Sequence, residues 1–169
     1  MPEKFPGLRP AFAKNGTITA ANASKINDGA AAIVLMSEEA ARERGLKPLA
    51  RIRSYDDAAV APIDFAIAPT KAVEKLLKRT GMTMSDIEYH EVNEAFSAVV
   101  LANMKLLELD PSRVNVHGGA VALGHPIGCS GTRILISLIN VLRQRDATIG
   151  MASICNGGGG ASAVILERM

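Results

Sequence analysis

The chain has 169 residues, 48% of them hydrophobic and 21% charged, with a formal net charge of +2. That composition fits one globular domain with a real core. Scattered charge, four Phe, two Tyr and no Trp argue against a nucleic-acid surface, and no apolar run is long enough to cross a bilayer.

In chain order, residues 1–15 are punctuated by proline and predict an extended lead-in, with a single domain over residues 16–169. "AAAIVLM" (Ala30 to Met36) is a short apolar run that predicts a buried strand. Ser37 to Gly45 predicts a short helix with Ser37 as its N-cap and Gly45 as its stop. "LARIRSY" (Leu49 to Tyr55) alternates apolar and polar, as a strand with one wet face does. Asp56 to Pro69, rich in Ala and Pro, reads as a surface loop, and Thr70 to Gly81 as an amphipathic helix. "DIEYHEVN" predicts a strand, and "EAFSAVVLANMKLLEL" a long helix ended by Asp110 and Pro111. "RVNVHGG" (Arg113 to Gly119) reads as a strand running into glycines. An apolar helix is expected after Ser130. Two closing strands, Thr148 to Cys155 and Ala161 to Arg168, are joined by "NGGGG". The alternation predicts an α/β fold, with a mixed but mostly parallel sheet, helices on both faces and an antiparallel edge.

Three segments at the C-terminal ends of expected strands carry possible chemistry, where open α/β sheets place ligands. Asn93-Glu94-Ala95-Phe96 reads, taken alone, as a helix cap with an acid in the first turn. The loop from Gly118 to Gly131 holds His125 on a turn stiffened by Pro126. Its glycines let backbone approach a ligand closely. It is not a phosphate-binding loop, because Gly124 is followed by His125 and Pro126 rather than Lys-Ser/Thr, and no Gly-x-Gly-x-x-Gly occurs. The third segment, Cys155 to Gly160, sets a thiol beside glycine amides. Such a thiol can serve as an acid or base. His90, His117 and Cys129 carry no expected role. The two cysteines lack metal-ligand spacing, so no transition metal is expected. A reduced, cytoplasmic setting is the simplest expectation, with mitochondria left open.

"NEAF" (Asn93 to Phe96), "GGAVALGHPIGCSG" (Gly118 to Gly131) and "CNGGGGASA" (Cys155 to Ala163) together resemble the thiolase family, in its acetyl-CoA acetyltransferase branch. "GTITAANASKINDGAAAIVLMS" (Gly16 to Ser37) is similar to the entry into that family's C-terminal half. The resemblance implies a thiolase-like C-terminal domain acting on a coenzyme A thioester. In it, His125 would activate a nucleophilic cysteine and help form an oxyanion hole, which a water held by Asn93 would complete. Cys155 would remove or return the α-proton of an acetyl group, and the amide of Gly157 would serve a second oxyanion hole. Ser24 would touch coenzyme A. In the branch that binds potassium, the carbonyls of Ala20, Ala21, Ala23 and Val121 would ligate the ion; hard oxygens suit such a cation.

The family's nucleophilic cysteine lies in its N-terminal half, and neither Cys129 nor Cys155 matches its motif. The chain is therefore expected to carry the acid/base and oxyanion side of a thioester Claisen condensation or thiolysis site, to lack the nucleophile half and to be inactive alone. The alternative is a non-catalytic truncated paralogue that binds coenzyme A or a partner protein. Expected partners are acyl-CoA, a second copy of the chain in a homodimer or higher homo-oligomer, and an N-terminal thiolase half. The helix after Ser130, apolar nearly all round, would then be sandwiched. No nucleic acid or membrane is expected.

Overall fold

Four strands form one mixed sheet in a computed structural model that describes residues 1–169. They are β1 (Ala50–Ala59), β2 (Tyr89–Val92), β3 (Ile149–Cys155) and β4 (Gly160–Arg168), in the spatial order β1-β4-β3-β2. β4 pairs antiparallel with both β1 and β3, and only β2 and β3 run parallel. The sheet is thus mixed, as expected, but parallel pairing is confined to one edge. The closing hairpin sits inside the sheet rather than at its border, because β1 crosses back to pair along the whole of β4.

The two central strands read as continuous apolar runs because both their faces are covered. Met151, Ala163 and Ile165 face helix α2 (Ala68–Thr80), whose Ala68, Ala72, Val73 and Leu76 recur at helical spacing. Ala152 and Leu166 face helix α5 (Ile127–Gln144) through Ile134, Leu138 and Leu142. Gly150 allows this close seating: a Cβ there would lie 2.6 Å from Leu138 Cδ1. Leu135 and Ile139 of α5, half-buried, pack against the rim of the same cluster, and Ile136 is also half-buried. The α2 helix ends where expected, with Gly81 left-handed at φ 70°. The short helix α1 (Glu38–Glu43) also forms as expected, with Ser37 Oγ accepting from the Ala40 amide.

Four stretches depart from the sequence expectations. Ala30 to Met36 makes no strand: it has no ladder partner, and Val34 and Leu35 are 82% and 71% exposed. Asp56 to Pro69 is not a loop. β1 continues to Ala59, a 3-10 turn covers Pro62–Ile67, and α2 begins at Ala68. Pro69 fits because the first helical turn needs no amide there. Arg113 to Gly119 is not a strand but a single bridge from Val114 to His90. Asn115, at φ 47°, turns the chain away. Its side chain then takes the place of a ladder, accepting from the Val92 amide and donating to the Val92 carbonyl, both at 2.9 Å. Finally, the helix expected from Glu94 starts only at Ser97, as α3 (Ser97–Leu106). In the lead-in, Pro2–Gly7 forms an exposed 3-10 helix, and Phe12 meets Phe96 edge to face at 5.7 Å.

Candidate active site at the ends of the parallel strands

β2 and β3 run side by side in the same direction, so Asn93, just past β2, and Cys155, at the end of β3, emerge at the same edge. The Asn93 amide bonds the Ser153 carbonyl at 2.9 Å, continuing the ladder to that point. Its side chain is buried and does not cap a helix. Instead its Nδ2 lies 3.3 Å from His125 Nε2. The cap reading of Asn93 fails because α3 begins four residues later, which frees the side chain for a tertiary contact.

His125 arrives from the glycine loop. A four-residue helix, α4 (Ala120–Leu123), is followed by Gly124 at φ 95°, a left-handed bend that swings His125 toward Asn93. The His125 amide donates to the Lys25 carbonyl at 2.9 Å. On the far side of the ring, Nδ1 lies 2.6 Å from Ser130 Oγ in the first turn of α5. Burial and the nearby Arg133 cation, in that order, hold the His125 pKa below its ordinary value, favouring the neutral ring. Beneath these groups, Arg133 reaches Asn93 Oδ1 at 3.4 Å and pairs with the buried Glu91 at 3.7 Å. Burial outweighs that pairing and raises the Glu91 pKa to about 7.

Glu94 joins the segment after β2 to the glycine loop. Its Oε2 accepts from the Val121 amide at 3.0 Å and its Oε1 from Ser97 Oγ at 3.1 Å. A Cβ at Gly119 would collide with this carboxylate, so the glycine is needed for the approach.

Cys155 is 9% exposed. Burial raises its thiol pKa, which favours the protonated form. The glycine run beyond it is organised by Asn156. Its Oδ1 accepts from the amides of Gly158 and Gly160, and its carbonyl from that of Gly159. Of the four glycine amides, only that of Gly157 is left without an acceptor. Gly157 is exposed next to Cys155, and nothing crowds it.

Ser24 is half-buried on a strap that crosses both loops. Its amide bonds the Ala95 carbonyl at 2.9 Å, and the Asn22 carbonyl accepts from Ser97 at 2.9 Å. The same strap carries Ala20, Ala21 and Ala23. Their carbonyls, and that of Val121, accept no hydrogen bond from any turn, loop or side chain. A cleft of about 330 Å³ opens beside the His125 turn, lined by Asn27, Gly29, Gly124, Pro126, Cys129 and Arg133. No three His, Cys, Asp or Glu side chains converge as a metal cluster, and no helix is long and apolar enough to span a membrane.

The sequence reading did not anticipate Ser130, Arg133, Glu94 or Asn156. Arg133 left a trace, as the charge on the narrow polar stripe that it shares with Ser137 and Asn140 in an otherwise apolar helix.

Sequence comparison identifies the family. The family described as "Thiolase, C-terminal domain" matches residues 46–168, and "Thiolase, N-terminal domain" matches residues 1–39. The chain belongs to the thiolase family. The mitochondrial acetyl-CoA acetyltransferase of Rattus norvegicus is 62% identical over 98% of this chain and 39% of its own length. A cytosolic acetyl-CoA acetyltransferase of Gibberella zeae is 55% identical over 99% of this chain and 42% of its own. Similar thiolases therefore occur in both compartments. Among solved structures, the Bacillus anthracis acetyl-CoA acetyltransferase superposes with a TM-score of 0.97 at 50% identity, covering 100% of this chain and 43% of the other. The Acat5 thiolase of Ascaris suum, solved with coenzyme A, gives 0.95 at 54%, covering 100% and 44%. The chain thus spans about two-fifths of the length of the thiolases it matches.

Proposed function

We propose that this chain supplies the acid/base and oxyanion side of an acetyl-CoA acetyltransferase site, where a thioester carbon–carbon bond is made or cleaved. One observation carries the reading. A neutral His125, hydrogen-bonded to Asn93, shares a strand edge with a buried thiol whose neighbour Gly157 keeps a free amide.

In this reading Ser24 touches the coenzyme of a bound coenzyme A thioester. A neutral imidazole is ready to accept a proton, so His125 activates the nucleophilic thiol, which no cysteine of this chain provides. With Asn93 holding a water, His125 then stabilises the oxyanion at the thioester carbonyl. Cys155 rests as a thiol, primed to give a proton. In the reverse direction its thiolate takes one from the acetyl methyl, and the Gly157 amide supports the enolate oxygen. Positioned acid/base groups contribute about 10²–10⁴-fold, so the chain alone has negligible thiolysis turnover. The carbonyls of Ala20, Ala21, Ala23 and Val121 would hold potassium, a reading supported by their lack of a hydrogen-bond donor from any turn, loop or side chain. The ion, when bound, would brace the strap against the α4 loop.

The test is exchange of acetyl-CoA methyl protons into deuterated water, followed by NMR. Slow exchange is expected from the chain, and its loss in Cys155→Ala. Exchange that is absent in the unmodified chain, or unchanged in Cys155→Ala, overturns the reading. Acetoacetyl-CoA cleavage by the chain alone, at a full-length thiolase's rate, also overturns it.

A second reading is a non-catalytic domain that binds coenzyme A or a partner protein. It is favoured by the exposed apolar side chains of Ile26, Val34 and Leu35. Both readings include a homodimer or higher homo-oligomer, or pairing with an N-terminal thiolase half, because so much uncovered apolar surface is an association site.

A further inference from the structure

The hydrogen bonds around His125 form a line whose polarity is set from its Arg133 end and accommodated at its Ser130 end. At one end, Ser130 Oγ lies 3.1 Å from the Pro126 carbonyl, which can only accept. That carbonyl also accepts from the Cys129 and Ser130 amides, at 2.8 and 2.9 Å, so the hydroxyl proton has two possible acceptors. With the proton on the carbonyl, the Ser130 oxygen accepts from His125 Nδ1, 2.6 Å away. At the other end, a guanidinium can only donate. Arg133 therefore faces the oxygen of the Asn93 amide, at 3.4 Å. That sets the amide's orientation and turns its nitrogen to His125 Nε2, at 3.3 Å. An amide nitrogen only donates, so Nε2 must be the acceptor. Arg133 is itself held by the buried Glu91.

We infer that Ser130 and Arg133 are positioning residues that lock His125 in the Nδ1–H tautomer, reserving the Nε2 lone pair for the site. This inference deepens the acid/base role proposed for His125. The opposite tautomer fails at the Asn93 contact, where Nε2–H would face the amide donor; at the other end Ser130 would turn its proton from the Pro126 carbonyl to Nδ1. A free neutral histidine favours that opposite, Nε2–H form, so the protein has to impose its own choice. A base whose lone pair pointed at Ser130 would be useless to a thioester. Neither Ser130, which is fully buried, nor Arg133, which sits behind Asn93, need touch a substrate to act this way.

The experiment is NMR of imidazole-¹⁵N-labelled protein with the rings neutral. The chain has three histidines; His90 and His117 serve as internal references, and His125→Gln assigns the third signal. Nδ1–H is expected to dominate at His125 by about ten-fold or more, a bias of about 1.4 kcal/mol. Ser130→Ala should carry the population toward Nε2–H by a similar factor while the His90 signal stays put. Arg133→Met should produce a smaller shift, because Asn93 can then flip, and Arg133→Lys should retain the wild-type ratio. Nε2–H dominance in the unmodified chain overturns the inference. So does an Nδ1–H ratio that neither Ser130→Ala nor Arg133→Met changes. If Ser130→Ala does not fold, the unmodified chain and the two Arg133 variants decide it. Loss of acetyl proton exchange with the tautomer ratio intact would count against the proposed function alone.

Discussion

His90 and Glu91 are neighbours on β2, point to opposite faces and titrate against each other. Burial, helped by Arg113, lowers the His90 pKa from 6.5 to about 4. Its contribution is full above pH 6.5 and is lost as pH falls through about 4. Burial raises the Glu91 pKa from 4.5 to about 7, against the pull of Arg133. Its contribution is full below pH 4.5 and is lost as pH rises through about 7. Each shift corresponds to roughly 3 kcal/mol across its window. The two nearly cancel between pH 4.5 and 6.5, so stability should be level there. Glu91→Gln exposes the histidine: its urea midpoint should fall steadily on acidification from pH 6.5 to 4. His90→Gln should do the reverse, becoming more stable from pH 7 down to 4.5. A level Glu91→Gln profile contradicts the assignment. At this scale the sequence singled out Asn93, His125 and Cys155, and the structure sets Asn93 beside His125 and ends β2 and β3 at one edge. The sequence was silent on Ser130, because a hydroxyl in a first helical turn looks like a cap.

Elements were legible where punctuation and period agreed. The amphipathic stripe of α2 closes on Gly81, and the β3–β4 hairpin closes on its glycines. They were illegible where tertiary partners overrode local preference. β1 runs through Asp56 to Ala59, poor strand formers, because β4 offers a full-length partner. Val114 to Gly119 has strand composition, but the Asn115 side chain does the pairing. The hairpin glycines separate by role. Gly159 sits at φ 88°, and a Cβ there would strike the Val60 carbonyl. Gly157 has open space around it and no positive φ. Gly159→Ala should therefore cost at least about 1–2 kcal/mol, while Gly157→Ala should stay within about 0.5 kcal/mol. Thermal denaturation checks both. Equal losses would mean that the turn is not built as described.

For the molecule as a whole, α5 is covered by the sheet on one side and half-covered on the other, so the expected sandwich is only half present within one chain. Strongly exposed apolar side chains also occur outside α5, at Ile26, Val34 and Leu35. Sequence alone could not distinguish the two, because an apolar run looks the same whether its own chain or another buries it. If a second copy provides the cover, Leu35→Glu should shift sedimentation toward the monomer, while Leu101→Glu, at an exposed site on α3, should not. A stable monomer of the unmodified chain at micromolar concentration would rule out self-association there. The strap from Asn22 to Lys25 has a consequence of another kind. Its main-chain bonds to Ala95, Ser97 and His125 cross the boundary between the two thiolase family matches, which end and begin at residues 39 and 46. A fragment cut at that boundary would keep every strand of the sheet, along with Asn93, His125 and Cys155. It would release the backbone that holds the histidine. Evolutionary modules and mechanical modules therefore do not coincide in this chain, and a transplantable version of this edge would have to begin before Asn22.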